Sequence, residues 1–308
     1  MTNDESLLAR VFFKVKILES HGNAYEKLFI SVMEKWDKGF RPVKPHGKTG
    51  DRKNDGFIAE KGQYYQVYAP ESPSSKTKDA IKKCKNDFNG LKAYWHDKSP
   101  IKEYAFVFND KYSGAYPELE AALLEIQNEN EGIKCRPFLA KDLENALFEL
   151  TDQEIYSIIN YIPAPDKIEQ IDYGAMTEVV NYLLEKQESL KIDKSLILQD
   201  FEEKIKFNGL SDQIAAYLKV GSYQVSVLYD FFERNSNAPR KILKEIFTKF
   251  YNEADKSIPE QKGKSDLVFV SILNSASPAN TKSVQEAVLV LMAYYFESCD
   301  IFKEPIKN

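Results

Sequence analysis

Cysteine, histidine and long apolar runs are scarce in this chain of 308 residues. Its three cysteines, Cys84, Cys135 and Cys299, lie far apart without CxxC spacing, and its three histidines are scattered as well. A structural zinc site needs about four clustered ligands, so the sequence predicts no such site. An odd number of widely spaced cysteines predicts reduced thiols and a cytoplasmic location.

No apolar run is long enough to span a membrane. The longest, over residues 287–296, has the length of one short helix, whereas a membrane span needs about 20 apolar residues. The N-terminus is polar and acidic before it becomes apolar, which does not fit a secretory signal. With 43% hydrophobic and 29% charged residues, the composition is typical of a soluble globular protein with room for two domains.

A β-hairpin is predicted near the middle of the first half. Two strand-like runs, residues 56–60 and 64–69, are separated by Lys61-Gly62-Gln63. The glycine in this connection supplies the positive φ that a tight turn requires.

Three polar side chains of the hairpin are candidates for a catalytic site. Asp55 directly precedes the first strand, while Gln66 and Tyr68 share one face of the second because side chains alternate along a strand. A carboxylate, an amide and a phenol can therefore surround one point. This arrangement is typical of a metal-dependent nuclease site.

Each of these residues also has a structural interpretation. Asp55 before Gly56 is typical of an ordinary Asp-Gly turn. Gln66 is consistent with the exposed face of an edge strand, and Tyr68 with a residue that merely favours strand formation. Glu71 is a second candidate carboxylate if the strand extends that far. Only the combination favours a functional site.

Positive charge is concentrated around the hairpin, although the net charge of the chain is −5. Residues 38–102 contain 15 Lys and Arg residues against 7 Asp and Glu. Several of these lysines lie on one predicted helix: Lys76, Lys78, Lys82, Lys83 and Lys85. A basic surface of this kind suits a phosphate backbone and predicts DNA binding. A solvated helix face is the alternative.

The first half alternates predicted helices and strands in the order α-β-β-β-α-β-α-β. After a helix that begins at Asn23, the predicted elements are a strand at 40–43, the two hairpin strands, a helix at 74–96, a strand at 103–108, a helix at 117–128 and a strand at 133–139. The crossover helix at 74–96 lets the strand that follows join the hairpin in a mixed sheet.

Beyond Leu150 the sequence predicts helices almost throughout. The two-proline segment 161–166 predicts the boundary between an α/β domain, residues 1–160, and an all-α domain, residues 166–308. The helices predicted in the second domain cover residues 175–188, 198–208, 211–235 as two helices, 238–255, 266–274 and 281–298. The run AVLVLMAYYF is apolar nearly all round and predicts a buried central helix.

A helix glutamate, a glycine-aspartate motif and a strand glutamine follow one another in the first half. They are Glu26, then Gly50 with Asn54-Asp55-Gly56, then Gln66. Over about residues 20–140, this pattern and the element order resemble the restriction-endonuclease-like fold of the Mrr-type nucleases. That family has a helix glutamate, then G-x-x-x-DG, then Q-x-K. Tyr68 stands where the family has lysine.

This resemblance implies a metal-dependent endonuclease that acts on DNA with Mg²⁺ or Mn²⁺. Asp55 is then the anionic metal ligand, Gln66 adds a neutral carbonyl ligand, and Glu26 orients the site. Tyr68 completes the implied catalytic set but brings no charge near neutral pH.

The missing lysine leaves alternatives open. Lys61, Lys76 and Lys78 are candidates to supply its charge from a neighbouring position. If none does, the domain is a degenerate module that binds DNA or a partner protein and relays a signal. A purely structural adaptor without a nucleic-acid role is the third alternative.

Three segments of the second half carry another resemblance. They are EQIDYGAMTEVVNYL at 169–183, FEEKIKFNGLS at 201–211 and ILNSASPANTKSVQEAVLVLMAYYFESCDIFKEP at 272–305. These segments are similar to the C-terminal domains of bacterial ABC-three-component systems. The resemblance implies a role in defence against phages or plasmids, with an SMC-like ABC-type ATPase as partner. The helical domain is expected to contact that partner, or a second copy of the chain as a homodimer.

Overall fold

A computed structural model describes residues 1–44, 52–160, 165, 168, 172–186, 201–234, 240–298 and 300–305. Gly50, Cys299 and most of the predicted boundary at 161–166 lie outside these residues. The chain divides into two compact units. The first, here called the sheet unit, comprises Lys16–Ile158, and the second, the helical unit, comprises Met1–Val15 and Ile159–Asn308. The sequence did not predict that Met1–Val15 groups with the helical unit.

The sheet unit contains a 5-stranded mixed sheet with the strand order β1-β2-β3-β4-β5. The strands are β1 Phe40–Pro42, β2 Gly56–Ile58, β3 Gln63–Tyr68, β4 Glu103–Phe108 and β5 Lys134–Phe138. β2 pairs antiparallel with β1 and with β3, whereas β4 pairs parallel with β3 and with β5. The predicted element order and the mixed sheet are confirmed.

Helices precede, connect and follow these strands. They are α1 Asn3–Glu19, α2 Gly22–Trp36, α3 Thr77–Trp95, α4 Pro117–Glu129, α5 Ala140–Phe148 and α6 Asp152–Ile159. Sequence analysis predicted α2, α3 and α4 but not the other three. In α1, apolar residues occupy most sides, so no 3.6-residue pattern stands out. α5 and α6 are short, and a short helix depends on tertiary packing more than on its own periodicity.

The predicted hairpin is confirmed in β2 and β3. Gly56 pairs with Tyr65, and Phe57 pairs with Tyr64. A 3₁₀ turn, Ala59–Lys61, leads to Gly62, whose φ of 64° lies in the left-handed region. A Cβ at Gly62 would also come within 2.8 Å of the Pro100 carbonyl oxygen, so glycine is required for two reasons.

Different helices cover the two faces of the sheet. The Tyr65 ring of β3 contacts the Phe29 ring of α2 at a centroid distance of 5.7 Å. Tyr64 and Tyr68 instead pack with the apolar residues of α3 and α4. Because side chains alternate along β3, Gln66 shares the face of Tyr64 and Tyr68, towards α3.

Besides most of α1, the described part of the helical unit contains α7 Tyr173–Glu185, α8 Phe201–Phe207, α9 Asp212–Tyr223, α10 Val225–Arg234, α11 Arg240–Ser257, α12 Lys264–Ala276 and α13 Lys282–Glu297. Each helix from α7 to α13 corresponds to a predicted helix. Side-chain oxygens define two of the starts, since Ser211 accepts from the Ile214 N–H and Thr281 from the Val284 N–H.

α13 is the centre of the helical unit. All its residues from Val284 to Phe296 are buried, which confirms the central helix predicted from the apolar run. A helix that is apolar all round must be surrounded by other helices, and α13 packs against α7, α9, α10 and α12. No helix in the described part of the chain combines the length and apolar character that a membrane span needs.

Candidate active site

Asp55 is fixed at the start of the hairpin by backbone hydrogen bonds. Its N–H donates to the Tyr65 carbonyl at 3.0 Å, and its own carbonyl accepts from the Val43 N–H at 3.1 Å. One carboxylate oxygen, Oδ2, accepts from the Val67 N–H at 2.6 Å. The Val67 nitrogen is bonded to the carbonyl carbon of Gln66, so the Asp55 carboxylate lies directly beside Gln66. Asp55 is only 4% exposed.

Two buried amides next to this carboxylate have an atom without a hydrogen-bond partner. Gln66 is 3% exposed, and its Oε1 has no partner among the described residues. Asn54 is fully buried and accepts from the Gly56 N–H at 3.1 Å, but its Nδ2 has no partner there either. A buried unpaired polar atom costs about 1–3 kcal/mol, so such a cluster is a candidate ligand site.

The alternative interpretation of Gln66 is wrong. β3 is the central strand of the sheet, with β2 on one side and β4 on the other. Gln66 is therefore neither on an edge strand nor exposed. The turn that was assigned to Asp55 is made by Asn54, whose side chain binds the Gly56 N–H.

Tyr68 occupies the position of the family lysine and packs as an aromatic residue. Its ring lies 6.2 Å from that of Phe106 and 6.3 Å from that of Phe108, measured between centroids. Burial raises the pKa of the Tyr68 phenol, the Asp79 carboxylate raises it further, and the Lys76 ammonium lowers it. The phenol therefore stays protonated and neutral.

Glu26 lies near the start of α2 and is half-buried. The first residue of α2, Gly22, donates its N–H to the Ala69 carbonyl at 2.7 Å, which places this end of the helix beside the end of β3. α2 packs on the sheet face opposite to Gln66. Asp55 and Gln66 thus lie on neighbouring strands of the hairpin, and the roles of Asp55, Gln66 and Glu26 in one site stay predictions. Glu71 is exposed in the loop that follows β3.

Several of the lysines predicted to bind DNA form ion pairs. The pairs are Lys76 with Asp79 at 3.1 Å, Lys83 with Asp87, and Lys85 with Glu125 at 2.5 Å. Lys78 and Lys82 are exposed and form no ion pair with a described residue. Lys61, a candidate to replace the family lysine, instead binds Asp37 at 2.6 Å. An exposed ion pair contributes about 0.2–1 kcal/mol, which a phosphate contact can offset.

Asp87 is a buried carboxylate that sequence analysis missed. It is 2% exposed and binds two lysines, Lys53 at 3.0 Å and Lys83. A signal for it was available, because Asp87 lies three residues after Cys84 and four before Leu91. Both of those belong to the buried face of α3. A carboxylate within a helical apolar stripe needs a cationic partner.

The segment before Asp55 lies against α3 in an unusual backbone conformation. Arg52 and Lys53 both have positive φ, 57° and 63°. The Arg52 guanidinium lies 4.9 Å from the centroid of the Tyr94 ring. A Cβ at Gly90 would come within 2.9 Å of Lys53 Cγ, so this glycine lets the Lys53 stem approach the helix. Left-handed non-glycine residues cost about 1–3 kcal/mol each and cluster at functional sites.

The donor atoms of this site fit an ion of the magnesium type. Asp55 offers an anionic oxygen, and Gln66 offers the unpaired Oε1. Among the described residues, no group of three or more His, Cys, Asp or Glu could hold a metal ion by itself. Mg²⁺ prefers oxygen ligands, keeps several waters and is commonly bound by one or two carboxylates together with substrate phosphates. The residues present therefore suit an ion shared with water and substrate.

The two cysteines of the sheet unit are buried. Cys84 and Cys135 are buried free thiols, which confirms the prediction of reduced cysteines for these two. Burial raises the pKa of each thiol to about 12. A thiol with a raised pKa is protonated at neutral pH, and the protonated form is a weak nucleophile.

In the helical unit, buried charged groups serve packing. Lys204 is 1% exposed, and its ammonium donates to the Phe296 carbonyl at 2.7 Å, near the end of α13. Asp300 binds the Ser298 hydroxyl at 2.6 Å and the Lys244 ammonium at 2.5 Å. These contacts bind helix ends and loops to one another.

A cleft of about 300 Å³ in the helical unit is mainly polar. Lys264 lies in this cleft, and its ammonium forms ion pairs with the carboxylates of Asp255 at 2.9 Å and Glu260 at 2.7 Å. Carboxylates of the same unit therefore neutralise its charge. Tyr251 and Phe302 form part of the wall. The balanced charges indicate a structural network rather than a binding site.

Residues 175–303 match the family model of C-terminal domain 10 of the ABC-three component (ABC-3C) systems. The matched residues begin in α7 and extend beyond α13, so they lie in the helical unit. No curated protein matches the chain, and no solved structure does. The resemblance of the second half is thereby confirmed, whereas the endonuclease resemblance of the first half stays a prediction.

Proposed function

We propose that the protein is a component of an anti-phage or anti-plasmid defence system. In this proposal the sheet unit is a metal-dependent DNA endonuclease, and the helical unit connects it to an SMC-like ABC-type ATPase. The nuclease proposal is supported by two observations on neighbouring strands: the Asp55 carboxylate accepts the Val67 N–H, and the Oε1 of Gln66, the residue before Val67, is buried without a partner among the described residues. The match of residues 175–303 to an ABC-three-component domain supports the defence role.

Asp55 and Gln66 are the residues that would hold Mg²⁺ or Mn²⁺. When bound, such an ion supplies charge that polarises the scissile phosphate and makes water a better nucleophile. The overall reaction adds water across a phosphodiester P–O bond and yields a phosphate monoester and a hydroxyl group. The Val67 N–H holds the Asp55 carboxylate in one orientation, and Glu26 is proposed to orient the site from α2.

The exposed lysines of α3 would hold the DNA backbone next to this site. Lys78 and Lys82 are exposed and can bind phosphates directly. Lys76 and Lys85 form ion pairs with exposed carboxylates, and they can exchange these carboxylates for phosphates. Contacts of this kind fix the position of the DNA but read no sequence. Cleavage is therefore expected to be independent of sequence or nearly so.

A plasmid-degradation assay with Mg²⁺ or Mn²⁺ tests the proposal. Wild type should cut, in the presence of the partner ATPase or without it, and Asp55→Ala should cut at least about 100-fold more slowly because the anionic ligand is lost. Asp97→Ala is the matched control, because Asp97 is an exposed aspartate of the same unit. Equal rates for wild type and Asp55→Ala would contradict a metal-dependent site at this position.

A second candidate function is a degenerate nuclease-fold module that binds DNA or a partner and relays a signal. The packing of the Tyr68 ring on Phe106 and Phe108 favours it, because no cation stands at that strand position. DNA binding that weakens with salt, without cutting under any condition, would support this module. A purely structural adaptor predicts instead that reversing the charges of Lys82, Lys83 and Lys85 leaves retention on DNA unchanged.

A further inference from the structure

We propose that Asp87 is a positioning residue that holds Lys53 and Lys83 as a phosphate-binding element. This element would lie beside Asp55 and supply the positive charge that β3 lacks. The inference rests on the proposed nuclease function and assigns its missing cation to α3 and to the segment before β2.

Two lysines share one buried carboxylate in this cluster. Asp87 Oδ1 binds the Lys53 ammonium at 3.0 Å, and Oδ2 binds that of Lys83. The Asp87 side chain is 3% exposed, whereas those of Lys53 and Lys83 are 50% and 31% exposed. The anion is thus hidden and the cations face solvent. An ammonium has three donors, so Lys83 can bind a phosphate without leaving Asp87.

The charges of Asp87 and Asp55 both affect one buried hydroxyl, that of Tyr104. Tyr104 on β4 donates this hydroxyl to the Cys84 carbonyl of α3 at 3.4 Å. Burial raises the pKa of Tyr104 most, and the charges of both Asp87 and Asp55 contribute to the increase. Lys53 precedes Asp55 by two residues, so the ion pair with Asp87 also fixes the entry to β2.

A structural role alone explains Asp87 poorly. Replacing a buried ion pair by apolar residues is often neutral or stabilising, and the other residues of this helix face are apolar. The carboxylate here holds Lys53 in a left-handed backbone conformation that is itself unfavourable. Two unfavourable features that depend on each other indicate a geometry required by a ligand.

DNA binding without metal tests the proposal separately from cleavage. Affinity for a short fluorescein-labelled duplex is measured by anisotropy in EDTA over a range of salt concentrations. Lys53→Met and Lys83→Met should each weaken binding and reduce the slope of log affinity against log salt by about 0.9. Lys134→Met is the charge-matched control: this exposed lysine lies on β5, and its loss should leave the slope unchanged.

Asp87→Asn gives the sharpest result. The change removes a negative charge, so general electrostatics predicts tighter DNA binding. Positioning predicts weaker binding, because the two lysines are released. Tighter binding, or unchanged binding in both lysine variants, would overturn the proposal. Lys83→Arg keeps a cation for Asp87 and should restore most of the affinity. Thermal unfolding of each variant verifies the fold. If Asp87→Asn fails to fold, the two lysine variants still test the proposal, because they change only half-exposed side chains.

Cleavage with Mg²⁺ separates this inference from the proposed function. Each lysine variant should cut about 100-fold more slowly, the usual loss for one electrostatic donor. If Asp55→Ala abolishes cutting while the lysine variants cut and bind like wild type, the nuclease function stands and this inference is wrong. If nothing cuts but the binding results hold, the phosphate-binding element stands and the nuclease function is wrong.

Discussion

Buried polar groups are arranged differently in the two units. In the sheet unit, Asn54 and Gln66 each have a buried atom without a partner among the described residues, and the Asp55 carboxylate binds the Val67 N–H. In the helical unit, Lys204 and Asp300 are buried but bonded to a helix end or to neighbouring side chains. Gln285 of the helical unit also has an unpaired Oε1, so the sheet unit differs in having two such amides near one buried carboxylate: Asn54 precedes Asp55 in the chain, and Gln66 lies on the next strand.

We infer from this difference that a ligand would bind in the sheet unit. An unpaired buried atom lowers stability, so each one requires an explanation, such as a ligand, an ordered water or strain. The helical unit, built around α13, has the continuous apolar core of a scaffold or a contact module.

Removing a core ring from the helical unit should cost the most stability. Phe296 is fully buried, and its ring lies 5.2 Å from that of Phe201 and 5.6 Å from that of Phe302. Phe296→Ala should lower the free energy of unfolding by about 3–5 kcal/mol. Chemical denaturation measures this loss. A loss below about 1 kcal/mol would show that α13 does not carry the core.

Removing the unpaired Gln66 amide from the sheet unit should increase stability, whereas removing the Phe296 ring should decrease it. Gln66→Met should raise the free energy of unfolding by about 1–2 kcal/mol, because a buried oxygen without a partner disappears. The same change should abolish Mn²⁺ binding in calorimetric titration. Stabilisation together with loss of binding would be the trade-off expected at a functional site.

Gln285 in the helical unit is the matched control for Gln66. Its Oε1 is also unpaired, but its Nε2 donates to the Asn280 side chain at 2.8 Å. Gln285→Met therefore removes one unfavourable atom and one hydrogen bond, and stability should hardly change. Equal stabilisation by both variants would remove the distinction between the units.

The pH dependence of the helical unit should show a small effect of Asp266. Burial raises the pKa of this carboxyl, although it accepts the Ser211 N–H at 2.9 Å. The native state thus binds the proton more tightly than the unfolded chain does. Protonation of Asp266 therefore increases the free energy of unfolding as the pH falls through the raised pKa. At neutral pH the carboxyl is not protonated, and this increase is absent. Asp266→Asn should abolish this gain, measured as the difference between the two unfolding curves against pH.

Loss of the Tyr68 hydroxyl should have the smallest effect. The ring packs on Phe106 and Phe108, and the neutral phenol is only partly buried. Tyr68→Phe should change the cleavage rate and the DNA affinity by less than about threefold, well under 1 kcal/mol. A larger loss would assign the phenol a direct role and weaken the inference that Lys53 and Lys83 supply the charge.

Local patterns in the sequence determined most of the secondary structure. Strand alternation placed Gln66 and Tyr68 on one face, Gly62 defined the hairpin, and apolar periodicity located the helices of the helical unit. The predicted hairpin also placed Asp55 and Gln66 on neighbouring strands, because a hairpin pairs residues that are close in sequence.

Only the tertiary structure decided what lies beside that pair. Asp87 meets Lys53 because α3 packs over the hairpin, a contact between residues far apart in the chain. The pairing of β3 with β4 likewise placed the Tyr68 ring against Phe106 and Phe108. Periodicity reports which face of an element is buried, but it does not report which side chain of another element that face will meet.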